Sequence, residues 1–328
     1  MKRTRKYSWQ GFTLVELMVV IAIIGMLGTF SIGVMRISVE TARESRTRTT
    51  IGKLDSVITS MYEKYQNRRV DVSSYQKLGW PGGVSDVNYI PALWRLWILR
   101  DTIRMDMPMN YAEVINGPVV PDGSGGCVND GTGNRSRSAL NAVYNRAVNN
   151  CIDINDPTTY DAGTFNAELL YLIVTNGDPE SRSMFSDREV ADTNNNGLLE
   201  FVDGWGKPIN WLRWAPGLES SDRQPVFGAK DEDGYLYTSF TSYADPLDPL
   251  GAEQVLLNNE NYNGWLLIPY IYSSGPDGER GVYPLVADDG EIFSDPFARA
   301  WNEIETCPGA PDGTGENQDN IHNHNLTR

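Results

Sequence analysis

Histidine is almost absent from this sequence: only His322 and His324 occur, both in a polar stretch near its end. A Ser-His-Asp hydrolase needs an imidazole held in a packed site, so that chemistry is not expected. Cysteine is nearly as scarce. Cys127, Cys151 and Cys307 form no CxxC pair, and zinc-ligand spacings are missing. For an exported chain the simplest reading is one disulfide and one leftover thiol. Cys127 and Cys151 flank the segment 136–148 and are expected to pair, leaving Cys307. No GxxxxGK[ST] string is present, which excludes a P-loop. Carboxylates are abundant, and in so acidic a chain neighbouring pairs carry no specific signal for glycosidase chemistry. Tryptophans such as Trp94 and Trp97 sit in apolar strings, where core packing is a better reading than sugar binding. An enzyme is not expected.

Basic residues are sparse after the first fifth of the chain. Four of them, Lys2, Arg3, Arg5 and Lys6, open it without an acidic neighbour, and residues 36–69 carry eight basic against four acidic. From Val70 onward 16 basic residues face 38 acidic ones, a net charge of −22. Such a surface repels phosphates and attracts cations, so nucleic acid is not a partner for this part. The 328 residues, 40% of them hydrophobic, suffice for one large folded domain or two modest ones.

What the sequence does have is one long apolar run. It spans Phe12–Met35, 24 residues, about 36 Å as a helix and enough for a hydrocarbon core of about 30 Å. The basic flank should stay cytoplasmic and the bulk of the chain should be exported. A secretory signal peptide is disfavoured, because its apolar core is shorter and its cleavage site follows that core. Glu16 interrupts the run, and a lone carboxylate there costs about 2.5–3.5 kcal/mol at the bilayer centre. Cleavage after Gly11 would create an amine on Phe12, four residues before Glu16. A neighbouring subunit could then present its amine to this carboxylate.

The string Gly11-Phe12-Thr13-Leu14-Val15-Glu16 after a short basic leader resembles the class III signal of type IV pilins and type II secretion pseudopilins. The resemblance implies a prepilin peptidase that cuts after Gly11 and methylates Phe12. It implies that Glu16 pairs with the N-terminal amine of an adjacent subunit, and that the apolar helices bundle in a filament. The implied partners are that peptidase, other pilin-like subunits, the inner-membrane assembly platform and the membrane. The implied location is the bacterial inner membrane, single-pass, with a periplasmic C-terminal domain.

The expected fold is α+β and pilin-like: a long N-terminal helix packed on a small antiparallel sheet, with a helical insertion. Residues 1–11 form the leader, 12–35 the transmembrane half of the helix and 36–69 its amphipathic half. Helical spacing continues through Ile51, Leu54, Val57, Ile58, Met61 and Tyr65. Residues 70–190 read as the insertion, with an amphipathic helix at 89–105 and two more helices at 136–148 and 167–175. Residues 191–306 read as the β-rich part, with strands at 209–214, 264–272 and 235–238. Residues 307–328 read as a polar, mobile tail.

Two stretches suggest structural calcium. Asp192-Thr193-Asn194-Asn195-Asn196-Gly197-Leu198-Leu199-Glu200 follows the EF-hand loop at positions 1, 3, 5, 6 and 9, with Asp203 where position 12 normally holds Glu. The candidate ligands are Asp192, Asn194, Asn196, Leu198, Glu200 and Asp203. The competing reading is an Asn/Asp-rich turn that bonds its own backbone. Asp203-Gly204-Trp205-Gly206-Lys207-Pro208 resembles a string of major pseudopilins. Ser273-Ser274-Gly275-Pro276-Asp277-Gly278 with Asp288-Asp289-Gly290-Glu291 resembles their C-terminal calcium loop. That resemblance makes Asp277, Asp288 and Asp289 candidate ligands, with Asp295 a weaker one.

The expected function is therefore a structural pseudopilin of a type II secretion-like filament. One rival is a subunit, minor or adhesive, of a type IV pilus. Another, of a different class, is a membrane-tethered binding protein or hydrolase that uses the signal only for export.

Overall fold

The computed structural model describes residues 12–77, 79–80, 88–122, 127–153, 164–215, 217–218, 221–224, 245–252, 266–282, 308–315 and 319–326. Helix α1 runs Leu14–Gln66, 53 residues, or about 80 Å. Thr13 caps it in a reciprocal box with Glu16, and Lys64 lies in its last turn, where the helix dipole favours a cation. Leu14, Met18, Ile24, Leu27 and Met35 are all exposed, and burial begins only in the helix's second half. There Thr47, Thr50, Ile51, Leu54, Ile58, Met61, Tyr62 and Tyr65 fall on one face at three- and four-residue steps and pack into the core. The fold is α+β, a long apolar N-terminal helix with small antiparallel sheets.

Helices α2 (Ser73–Gln76), α3 (Ile90–Asp106), α4 (Tyr111–Ile115), α5 (Ala139–Cys151) and α6 (Phe165–Gly177) follow. Between α4 and α5, strands β1 (Val119–Pro121) and β2 (Cys127–Asn129) form an antiparallel pair. Helix α3 is the helix expected at 89–105, but its second half is buried on every face. From Leu96 to Asp106 every residue is buried. Its charges are consumed by ion pairs: Arg104 with Asp101 at 2.7 Å, Arg135 with Asp101 at 2.6 Å, Arg100 with Asp245 at 2.6 Å, and Arg68 with Asp106 at 3.2 Å. Pairing removes the desolvation penalty that would otherwise keep such side chains outside.

Strands β3 (Val190–Ala191) and β4 (Glu200–Phe201) pair antiparallel. Strand β5 (Asn210–Leu212) pairs with β6 (Tyr270–Ser273), and β6 with β7 (Ile321–His322), both antiparallel, so β6 is central. One core joins α1, α3, α6 and this sheet, with Trp94, Trp97, Leu170, Ile173, Trp211 and Ile271 inside it. The expected strand at 235–238 lies outside the described residues.

The tail is the clearest departure. Residues 319–326 are docked: β7 extends the sheet, and Asn323 and His324 are buried. The Asn323 side chain accepts from Ile271 N (2.9 Å) and donates to Pro269 O (2.8 Å) and Asp55 (2.7 Å), tying tail, sheet and α1 together. His324 Nδ1 lies 2.6 Å from the Ser221 hydroxyl. Burial pushes both imidazoles down to about 4, with Arg48 adding to the effect at His322 and Arg223 at His324, where the Pro269 carbonyl opposes it.

Folding therefore favours the neutral rings. Their contribution is complete above the unfolded value near 6.5 and is lost as pH falls toward 4, at most about 1.4 kcal/mol per pH unit for each ring. Urea melts between pH 7 and 4 should show this loss. The double variant His322→Asn/His324→Gln should show a shallower one, and equal slopes would refute the assignment.

Candidate functional site

The first turn of α1 carries one charged side chain, Glu16. Glu16 accepts from Thr13 N (2.9 Å) and the Thr13 hydroxyl (2.8 Å), while Thr13 Oγ1 accepts from Glu16 N (3.2 Å). Glu16 is thus satisfied within its own chain, and the box needs nothing from residues before Phe12. Phe12 is 85% exposed and lies just before the first turn of α1. Gly11 lies outside the described residues.

Where α1 meets the folded part, the residues after β4 form a clasp. Asp203 Oδ1 accepts from Trp205 N (2.8 Å) and Lys207 N (2.9 Å), and Oδ2 accepts from the Ser273 hydroxyl of β6 (2.6 Å). Gly204 N donates to Thr47 Oγ1 (2.8 Å), and the Trp205 indole donates to Glu40. A Cβ on Gly204 would lie 2.3 Å from the Arg43 carbonyl oxygen. Only glycine lets the helix backbone come this close. Glu189 reinforces the grip by accepting from Thr50 (2.8 Å) and Lys53 (2.8 Å). Burial opposes its ionisation, but Lys53, Ser186 and Thr50 outweigh that and hold the carboxyl down at about 2. Sequence reading registered the string from Asp203 to Pro208 only as a resemblance. Its helix-gripping role is visible only once Thr47 and Arg43 are seen beside it.

The loop between β3 and β4 gathers most of the EF-hand-like candidates. Asp192 Oδ2 accepts from Gly197 N (3.0 Å) and Oδ1 from Asn196 N (3.1 Å). Asn196 Oδ1 accepts from Leu198 N (2.8 Å), and Glu200 Oε2 from Thr193 N (3.0 Å). Asn195 (φ 60°) and Gly197 (φ 93°) take left-handed conformations that make the loop tight. Asp203 does not join this group, since both its oxygens serve the clasp, and a strand rather than a helix follows the loop. Glu168 on α6, which the sequence did not single out, does join. Its Oε1 accepts from Asn194 Nδ2 (2.9 Å) and Asn196 Nδ2 (2.8 Å), and its Oε2 from the Tyr111 hydroxyl.

Burial, then the nearby Glu168 and Asp192, drive the Glu200 carboxyl up to about 7, against the Thr193 hydrogen bond. Among the described residues no three His, Cys, Asp or Glu side chains are grouped to hold a metal by themselves.

The second loop keeps Asp277 on its own turn, accepting from Glu279 N (2.9 Å). Asp319 lies against it. A Cβ on Gly275 would be 2.7 Å from the Asp319 carbonyl oxygen, and burial followed by the charge of Asp277 raises the Asp319 carboxyl. Asp288, Asp289 and Asp295 lie outside the described residues.

The expected disulfide is not formed. Cys127 and Cys151 are not joined. Cys127 sits in the field of Arg104, whereas the Cys151 sulfur faces Gly197, whose Cβ would be 3.4 Å away. The intervening chain folds into a hairpin strand and a helix rather than a closed loop. Cys307 lies outside the described residues.

Residues 10–32 match the prokaryotic N-terminal methylation motif. The match supports a type IV pilin-like class III signal, processed by a prepilin peptidase, on a chain that associates with the inner membrane through its N-terminal helix. No curated protein and no solved structure matches the chain.

Proposed function

We propose that this chain is a structural pseudopilin: a subunit drawn from the inner membrane into a short type II secretion-like filament, with its C-terminal domain in the periplasm and no catalytic role. The observation that carries the reading is the N-terminal half of α1. It joins a methylation motif to an apolar helix that is exposed along its first half among the described residues. A membrane covers such a surface first, and like helices cover it in a filament. The clasp at Gly204 supports the reading, because a subunit pulled by its helix needs that helix held rigidly to its domain. The string from Asp203 to Pro208 and the Asp277 loop favour a pseudopilin over a pilus subunit. On this reading Asp277, Asp288 and Asp289 are the ligands of a structural calcium, and Asp319 lies beside Asp277.

Processing is the direct test. Mass spectrometry of the membrane-extracted protein should find Phe12 at the N-terminus, carrying one added methyl group. An intact Met1, or a cut beyond Met35, would remove the basis of the proposal. Deleting the gene then separates the branches. Loss of secreted proteins supports the pseudopilin, whereas loss of surface filaments alone, or turnover of a glycan or peptide by the purified chain, overturns it.

A further inference from the structure

We propose that the β3–β4 loop is a calcium site, in which Asp192, Asn194, Asn196 and the Leu198 carbonyl meet Glu200 from the loop's end, with Glu168 of helix α6 bonded to the two asparagine amides rather than serving as a ligand. It is separate from the Asp277 loop and does not rest on the secretion reading.

An Asn/Asp-rich loop that bonds its own backbone would need no ion, and much of this loop does bond its own backbone. What such a turn does not explain is the group beneath it. Glu168 and Glu200 are both fully buried, and neither is ion-paired among the described residues. Glu200 Oε1 is buried with no hydrogen-bond partner, while its other oxygen is held by Thr193 N within the loop. The Thr193 hydroxyl is also buried, beside the same Glu200 carboxyl. A carboxylate oxygen in that condition is costly unless a cation or proton meets it, and it is held beside the loop that carries the acceptor spacing of a calcium binder.

The donor set fits a hard cation of modest affinity. Each loop oxygen that accepts one N–H keeps a second lone pair. The bonds from Gly197 and Asn196 to Asp192 therefore orient that carboxylate without exhausting it. At Glu168 two amide N–H groups of Asn194 and Asn196 converge on one oxygen, so this carboxylate orients the two amides. The bidentate acid usual at the twelfth position is missing, because Asp203 is spent on the clasp. Affinity should accordingly sit near the weak end for such loops, with Kd on the order of 10⁻⁴–10⁻³ M as in extracellular modules. Magnesium, which demands a smaller octahedral shell, should substitute poorly.

Calorimetric calcium titration of the full chain in detergent micelles tests this. Asp192→Asn and Glu200→Gln should each remove one binding equivalent or weaken it by about tenfold or more, while Asp277→Asn leaves that equivalent intact. Glu200→Gln should also melt higher than wild type in chelator, because it relieves crowding with Glu168 and Asp192, and should lose the upward shift that calcium gives wild type. Wild-type stoichiometry and affinity in both loop variants would overturn the site. So would the absence of calcium binding by the folded wild-type chain at millimolar calcium.

Discussion

Glu16→Ala should be cut after Gly11 and inserted in the membrane normally, yet be depleted from filaments by about ten- to a hundredfold. The range follows from a charge-assisted hydrogen bond of about 1.5–3 kcal/mol at each subunit contact. Insertion does not suffer, because removing a carboxylate from an apolar helix relieves a penalty of about 2.5–3.5 kcal/mol at most. In the isolated chain this carboxylate is occupied by Thr13 N and the Thr13 hydroxyl, so the variant also loses half of a capping box, worth about 1 kcal/mol. Thr13→Val separates the two effects. It removes the hydroxyl but keeps the acid, and should assemble close to normally, because the Phe12 amine of a neighbouring subunit can take the freed position. Filament yield in sheared or crosslinked membrane fractions is the measurement. Normal yield for Glu16→Ala would remove the pairing role, and equal depletion of the two variants would assign the defect to helix capping instead.

The division between what was legible and what was not follows the physics of each segment. Helix α1 could be read because its two halves carry separate unambiguous signals, an unbroken apolar run and then burial at three- and four-residue spacing from Ile51 to Tyr65. Helix α3 was placed almost to the residue, but its burial was misjudged. Arg100, Asp101 and Arg104 look like a solvated face until Asp245 and Arg135 arrive from distant segments to pair with them. The docked tail was invisible for a related reason. Among the described residues of the tail, Ile321 lies in the core and Leu326 packs against it, and much of the remaining hold comes from Asn323, a side chain that hydropathy counts as a reason to stay in water. The spacing of acceptors in the β3–β4 loop is legible in the sequence, but the surroundings of Asp203 are not. Asp203 continues the spacing in sequence, while strand β4 carries it away to Ser273. Glu168 could not have been found, since nothing local connects it to a loop some thirty residues on.

The largest effect on the folded part is expected at Arg213. Its guanidinium meets Glu113 with two parallel bonds, 2.8 and 2.9 Å, and also donates to the Met107 carbonyl at 2.8 Å. Glu113 in turn accepts from Met109 N at 2.8 Å. Both side chains are buried, at 2% and 0% exposure, and Arg213 lies 4.7 Å from the Trp214 ring centre. The pair ties α4 to the residue that follows β5, joining the helical layer to the sheet. Removing one partner leaves the other charged, buried and unmatched, which costs about 3–5 kcal/mol. Arg213→Met and Glu113→Leu should each lower the melting temperature by about 10 °C for a folded part of this size. Neither change touches the signal or the apolar helix, so both variants should still be cut after Gly11 and membrane-bound, but degraded from the domain side. The double variant supplies the discriminating result. With both charges gone and the volume kept, it should recover most of the lost stability, because the penalty lies in the unmatched charge and not in the missing contact. A double variant that melts as low as the worse single one would show that the hydrogen bonds to Met107 and Met109, rather than charge matching, hold this junction.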